Sequence, residues 1–207
     1  MKVKVCGMTT VENLEVIQAA QPDYFGFIFY DQSPRAVQLT DMPNFQYIKK
    51  IGVFVDENIE FILENHKQFK LDGIQLHGNE NSVYIEEVKA KLPTSVEIFK
   101  AVSIKSKSDF EVIKTFEGVV DIIVLDTKTH LKGGSGQQFD WALLENYTFN
   151  MPFLLSGGIG PNDAEQVLKL FHKYPVMAGV DINSKFEIEP GIKNTEQVKL
   201  FINTLQS

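Results

Sequence analysis

Six polar side chains stand where apolar runs of this chain end: Cys6, Asp56, His77, Asp126, Ser156 and Asp181. A thiol, an imidazole and carboxyls at such points are the materials of proton transfer. Cys6 is the single cysteine, and thiolate chemistry requires its pKa to fall from ~8.5 under nearby positive potential. Nothing local is read as supplying that potential, so a phosphate-binding helix end or a cation from elsewhere in the fold is expected. Asp126 closes the run Ile122-Ile123-Val124-Leu125. A carboxyl backed by apolar residues can retain its proton and serve as a general acid; the alternative is an ion pair with Lys128. Asp56 is read only as the N-cap of the helix that starts within Glu57-Asn58-Ile59-Glu60-Phe61.

Further pieces suit anions. Arg35, in Ser33-Pro34-Arg35, carries a planar guanidinium on a stiffened loop, fit for bidentate recognition of carboxylate or phosphate; a surface salt bridge is the other reading. Gly157-Gly158 and Asp181-Ile182-Asn183-Ser184 offer backbone N–H groups of the kind that hold phosphate. Gly133-Gly134-Ser135-Gly136 lacks the Lys-Ser/Thr of a P-loop and is read as a mobile lid or a plain surface loop. His66, His130 and His172 show no ligand spacing, and one cysteine makes neither a disulfide nor a zinc cluster.

The elements that must position these residues follow from periodicity. Apolar, β-rich runs recur at Val3–Cys6, Tyr24–Phe29, Ile51–Val55, Gly73–Leu76, Val96–Val102, Val119–Leu125, Pro152–Leu155 and Val176–Val180. Amphipathic helical stretches separate most of them, as parallel strands require. Thr9-Thr10-Val11-Glu12 predicts a capping box. Pro161 suits the first turn of a helix running to about Phe171, and Asn194 opens a last helix with Val198, Phe201, Ile202 and Leu205 on one face. Eight such strands fit a closed barrel or an open doubly wound sheet. The first turn, Cys6-Gly7-Met8-Thr9, lacks the glycine pattern of a dinucleotide fold, which favours the barrel. The expectation is an α/β chain forming a compact (β/α)8 TIM barrel, one domain over residues 1–207, with its active site at the C-terminal strand ends.

Composition narrows the class. The chain has 207 residues, 43% hydrophobic and 23% charged, with a formal net charge of −7. An acidic chain without a basic block is a poor binder of nucleic-acid backbone. No apolar stretch is long enough to span a membrane, and the strand-like start leaves no room for a signal peptide. The expectation is a cytosolic enzyme acting on a small molecule, without metal.

With the segments in order, the chain resembles the phosphoribosylanthranilate isomerases of tryptophan biosynthesis. The resemblance runs through Lys4-Val5-Cys6-Gly7-Met8-Thr9, Gly26-Phe27-Ile28-Phe29 with Ser33-Pro34-Arg35, Gly52-Val53-Phe54-Val55 and Gln75-Leu76-His77-Gly78. It continues through Leu125-Asp126-Thr127-Lys128, Gly133-Gly134-Ser135-Gly136 with Phe139-Asp140-Trp141, Gly157-Gly158-Ile159 and Gly179-Val180-Asp181. It implies a cofactor-free Amadori rearrangement with Asp126 as general acid and Cys6 as general base. It also implies Arg35 on the anthranilate carboxylate, His77 and Asp181 lining the pocket, and Gly158, Gly179 and Ser184 at the phosphate. Two departures stand out: Asn183-Ser184-Lys185-Phe186-Glu187 replaces the family's Ser-Ser-Gly-Val-Glu, and Ser156 replaces its Ala. Competing readings are another sugar-phosphate barrel isomerase, of the histidine-pathway type, and a non-catalytic barrel that binds a phosphorylated ligand. Monomer and homodimer both stay open.

Overall fold

The computed structural model describes residues 1–127 and 140–206. Eight parallel strands close into a barrel in chain order. They are β1 (Lys2–Cys6), β2 (Tyr24–Phe29), β3 (Lys49–Phe54), β4 (Gly73–Leu76), β5 (Glu97–Ile104), β6 (Ile122–Thr127), β7 (Phe153–Leu155) and β8 (Met177–Ile182). β1 pairs with both β2 and β8, which closes the ring. The helices are α1 (Val11–Ile17), α2 (Ile59–Phe69), α3 (Ser82–Ala90), α4 (Ala164–Lys173) and α5 (Thr195–Gln206); 3₁₀ turns at Lys107–Phe116 and Trp141–Asn146 serve the crossovers after β5 and β6. A hairpin of β9 (Glu187–Glu189) and β10 (Ile192–Lys193) follows β8.

Strand alternation sorts the apolar residues into two cores. Tyr24, Ile51, Phe99, Ile122, Val124 and Leu154 fill the barrel interior. Val3, Val5, Phe25, Ile74, Ile98, Ile123, Leu155 and Val180 face outward and pack with the helices in the larger cluster. That two-sided burial explains why the strands read as near-continuous apolar runs. α5 buries the four residues expected of it, Val198, Phe201, Ile202 and Leu205, behind Asn194, whose Oδ1 accepts the Gln197 N–H at 3.1 Å.

Several local expectations change. β6 and β8 run two residues further than their apolar runs, because pairing continues through Ser103–Asp126 and Ile104–Thr127 and through Lys4–Asp181 and Val5–Ile182. Asp126 and Asp181 are therefore strand residues. The first helix is capped by Thr10, whose side chain accepts from Asn13 N, one residue later than the predicted box. Asp56 is not a helix cap: Asn58 caps α2, while Asp56, at φ 54°, accepts the Asn79 N–H across the β4 loop. Pro161 starts a short 3₁₀ turn, Pro161–Asp163, before α4. The segment between β2 and β3 holds no helix; Met42 and Phe45 cover the barrel there, Phe45 edge-on to Phe25 at 5.0 Å. The glycine cluster at 133–136, read as a lid, and Lys128 lie outside the described residues.

Candidate active site at the barrel mouth

Inward parity and strand ends together define the site. Cys6 ends β1, Asp126 lies near the end of β6 and Asp181 near the end of β8. His77 and Ser156 directly follow β4 and β7. All five share the inward register of their strands, so five of the six residues singled out on the sequence meet at one mouth. Asp56 lies beyond its strand and joins the β4 loop instead.

Asp126 and His77 form one half. His77 Nε2 lies 3.2 Å from Asp126 Oδ2, and the Gln75 amide Nε2 lies 2.9 Å from His77 Nδ1. With the amide donating to Nδ1, the neutral ring carries its proton on Nε2 and donates it to the carboxylate. The second oxygen, Oδ1, accepts the Thr127 N–H at 2.8 Å. Gln75 is fully buried, and its Oε1 has no partner among the described residues.

Cys6 anchors the other half. It is 5% exposed, and burial, the strongest influence on it, pushes the thiol up. The charge of Lys4 works the other way. That cation was missed on the sequence, where the potential was expected from a distance. It sits two residues before Cys6 on the same strand, and the alternation Lys2-Val3-Lys4-Val5-Cys6 is the signal that places both on the inner face. Lys4 is fully buried and its Nζ donates to Asp181 Oδ2 at 2.9 Å. Burial opposes its charge, but Asp181 and the sulfur together hold its pKa above the ordinary value. Asp181 is driven up by burial, with Lys4 pulling it down. Its Oδ1 has no partner among the described residues.

Arg35 also reaches the mouth, but not as an open fork. Nε and Nη2 donate to Glu187, the shortest contact being 2.7 Å, and both side chains are largely buried. Glu187 further accepts from Lys193 Nζ at 2.7 Å and Gly191 N at 3.0 Å. Lys193 donates to Asn183 Oδ1 at 2.6 Å. Glu187 and Lys193 come from the hairpin after β8. Their sequence distance from Arg35 hid them; the signal was the Glu that ends Asn183-Ser184-Lys185-Phe186-Glu187.

The loops after β7 and β8 adjoin. A Cβ on Gly160 would lie 3.9 Å from the Lys185 Cβ. Gly157 and Gly158 sit at φ 79° and 70°, a region that glycine occupies without penalty. Ser184 opens a one-turn 3₁₀ helix, Ser184–Phe186. Gly179, which the resemblance groups with the phosphate residues, lies within β8 rather than in the loop. It pairs with Lys2 and Leu154 inside the sheet, and a Cβ there would collide with the Lys2 carbonyl. Among the described residues no group of three or more His, Cys, Asp or Glu is placed to hold a metal, and no helix is long and apolar enough to cross a membrane.

Residues 3–204 match the family model described as N-(5'-phosphoribosyl)anthranilate (PRA) isomerase. The N-(5'-phosphoribosyl)anthranilate isomerase of Parabacteroides distasonis is 42% identical, over 99% of this chain and 93% of its own. The solved phosphoribosyl anthranilate isomerase of Thermotoga maritima superposes with a TM-score of 0.83 at 29% identity, covering 100% of this chain and 98% of that one. Another solved phosphoribosyl anthranilate isomerase, in complex with reduced 1-(o-carboxyphenylamino)-1-deoxyribulose 5-phosphate, superposes with a TM-score of 0.81 at 27% identity, covering 100% of this chain and 98% of that one.

Proposed function

The chain belongs to the N-(5'-phosphoribosyl)anthranilate isomerase family, and from that premise we propose that it carries out the family's Amadori rearrangement by paired acid–base catalysis. The reaction, a step of tryptophan biosynthesis, turns N-(5'-phosphoribosyl)anthranilate into 1-(2-carboxyphenylamino)-1-deoxyribulose 5-phosphate. Asp126 protonates the ribose ring oxygen, and the ring opens to a Schiff base. Cys6, as thiolate, removes the C2 proton; the enolamine so formed tautomerises to the ketone. The carbon skeleton and electron count are unchanged, so the chemistry needs only proton carriers and no cofactor.

The observation that carries this reading is the placement of one thiol and one carboxyl on strands β1 and β6 of the same mouth, with His77 Nε2 3.2 Å from the carboxyl. Arg35 holds the anthranilate carboxylate along the edge of the guanidinium that Glu187 leaves unused. Gly158 and Ser184 bind the phosphate, with Lys185 adding positive charge where the family has glycine. His77 and Asp181 face the sugar, and Asp181 Oδ1 is suited to accept one of its hydroxyls. The domain is the single barrel of residues 1–207.

The test is loss of phosphoribosylanthranilate fluorescence, with the substrate generated in situ. Cys6→Ala and Asp126→Asn are each expected to lower kcat by ~10²–10⁴-fold with circular dichroism unchanged. A wild-type rate in either variant removes that residue from its role. Arg35→Met should raise KM more than it lowers kcat; an unchanged KM takes Arg35 off the carboxylate.

A further inference from the structure

Beside the Cys6 sulfur sits an ammonium that the scheme above leaves without a task. Lys4 and Cys6 project from β1 into the barrel, the lysine fully buried and the cysteine nearly so. β8 sets Asp181 opposite Lys4 in register, and their ion pair measures 2.9 Å. On the other flank β2 sets Gly26 opposite Cys6. A Cβ on Gly26 would fall 2.7 Å from the Cys6 sulfur and 3.0 Å from Lys4 Nζ. The bare glycine therefore lets sulfur and ammonium share one small gap with no side chain between them. An ammonium has three donors, and the Asp181 carboxylate takes one of those of Lys4.

We propose that Lys4 is a positioning residue that favours the thiolate form of Cys6 and offsets part of the pull of burial, with Asp181 as the counter-charge that limits the effect. The proposal rests on the reading of Cys6 as the base and adds how that base is made. In the barrel interior a charge acts through little screening. The ammonium favours the thiolate and the carboxylate opposes it. The other charged or titratable groups in range are Lys193 on β10, which also favours the thiolate, and Asp126 and His77, which act on Asp181 from β6 and from the end of β4. Asp181 thus has two effects of opposite sense: it neutralises Lys4, and it restrains how acidic the thiol becomes.

The two charges predict shifts of opposite sign. Because Cys6 is the single cysteine, the ultraviolet absorbance of its thiolate can be titrated in the full-length protein, with Cys6→Ser as the blank. Lys4→Met should move the titration midpoint upward by about one pH unit, a tenfold loss of thiolate below the midpoint. Asp181→Asn should move it downward. Damage to the packing alone would move both variants the same way. If Lys4→Met does not fold, Lys4→Met/Asp181→Asn removes both buried charges together, and its midpoint should still lie above wild type, since Lys4 exerts the larger influence. A midpoint unmoved by loss of Lys4, or displaced in the same direction by both single variants, overturns the proposal. Full turnover by Cys6→Ser would instead remove Cys6 as the base while leaving the effect of Lys4 on the titration intact.

Discussion

Lys4–Asp181 and Lys100–Glu80 are both buried lysine–carboxylate pairs, 2.9 and 3.0 Å long, on opposite faces of one barrel wall. Lys100 alternates with the inward Phe99 and Ala101 and so lies outside, under the helical layer. There it donates to Glu80 and to the carbonyls of Leu76 and Gly78. Glu80 in turn accepts the N–H groups of Asp56 and Gly78. All three donors of the lysine and both oxygens of the carboxylate are in use, and the pair ties the β3 and β4 loops together. The inner pair ends differently, with one Asp181 oxygen lacking a partner among the described residues and a thiol beside the ammonium. Burying charge is costly either way. The outer pair offsets that cost with complete hydrogen bonding, which fixes structure. The inner pair keeps hydrogen-bonding capacity in reserve, which a substrate can use.

Breaking the outer pair should produce the largest change. Glu80→Ala leaves a buried ammonium alone, and urea unfolding should show a loss of about 3–5 kcal/mol, while the folded fraction keeps its kcat. Asp181→Asn should shift the balance toward function: kcat/KM falls by roughly 10²-fold, and the stability loss is smaller than for Glu80→Ala because the amide oxygen still accepts from Lys4. If both variants lost stability equally, the distinction between the pairs would collapse.

A third cluster sharpens the contrast with a pH signature. Burial alone would raise the Glu187 carboxyl, but Arg35, Lys193 and the Gly191 N–H bring it below the ordinary glutamate range. A carboxylate with a depressed folded value contributes stability that is present above the unfolded value, near ~4.3, and is lost as pH falls through the folded one. Glu187→Gln should therefore cost about 1–3 kcal/mol at neutral pH, and the gap to wild type should close in acid below that range. A gap that persists at the lowest pH would mean the charge is not what matters. At the small end, Lys173 pairs with Glu145 at 3.0 Å with both side chains more than half exposed. Lys173→Ala should leave thermal unfolding unchanged, as exposed pairs contribute little.

The barrel was legible because its strands are apolar on both faces, which makes each run conspicuous, and the polar residue closing a run marks the mouth. What the runs conceal is pairing beyond them, so Asp126 and Asp181 look like loop residues although hydrogen bonding to the neighbouring strands keeps them in the sheet. Lys4 was readable in principle: alternation from Val3 and Val5 puts it on the face of Cys6, but a lysine in an apolar strand is easily assigned to solvent. Gly179 entered through the resemblance alone; no spacing shows that the Lys2 carbonyl of the adjoining strand leaves no room there for a side chain. The hold of Glu187 on Arg35 spans 152 residues, and no spacing rule reaches that far. Between β2 and β3 the structure covers the barrel with Met42 and Phe45 in place of a helix.

Ring closure through β1 and β8 also has a consequence in time. Lys4 and its counter-charge are 177 positions apart, and the chain emerges from the ribosome N-terminus first. For nearly the whole of synthesis, then, the nascent chain carries a lysine destined for burial with no carboxylate to meet it, beside a cysteine still exposed to solvent. The thiol gains its electrostatic setting only when the last barrel strand arrives. A chain stalled before β8 would thus lack the carboxylate that pairs with Lys4.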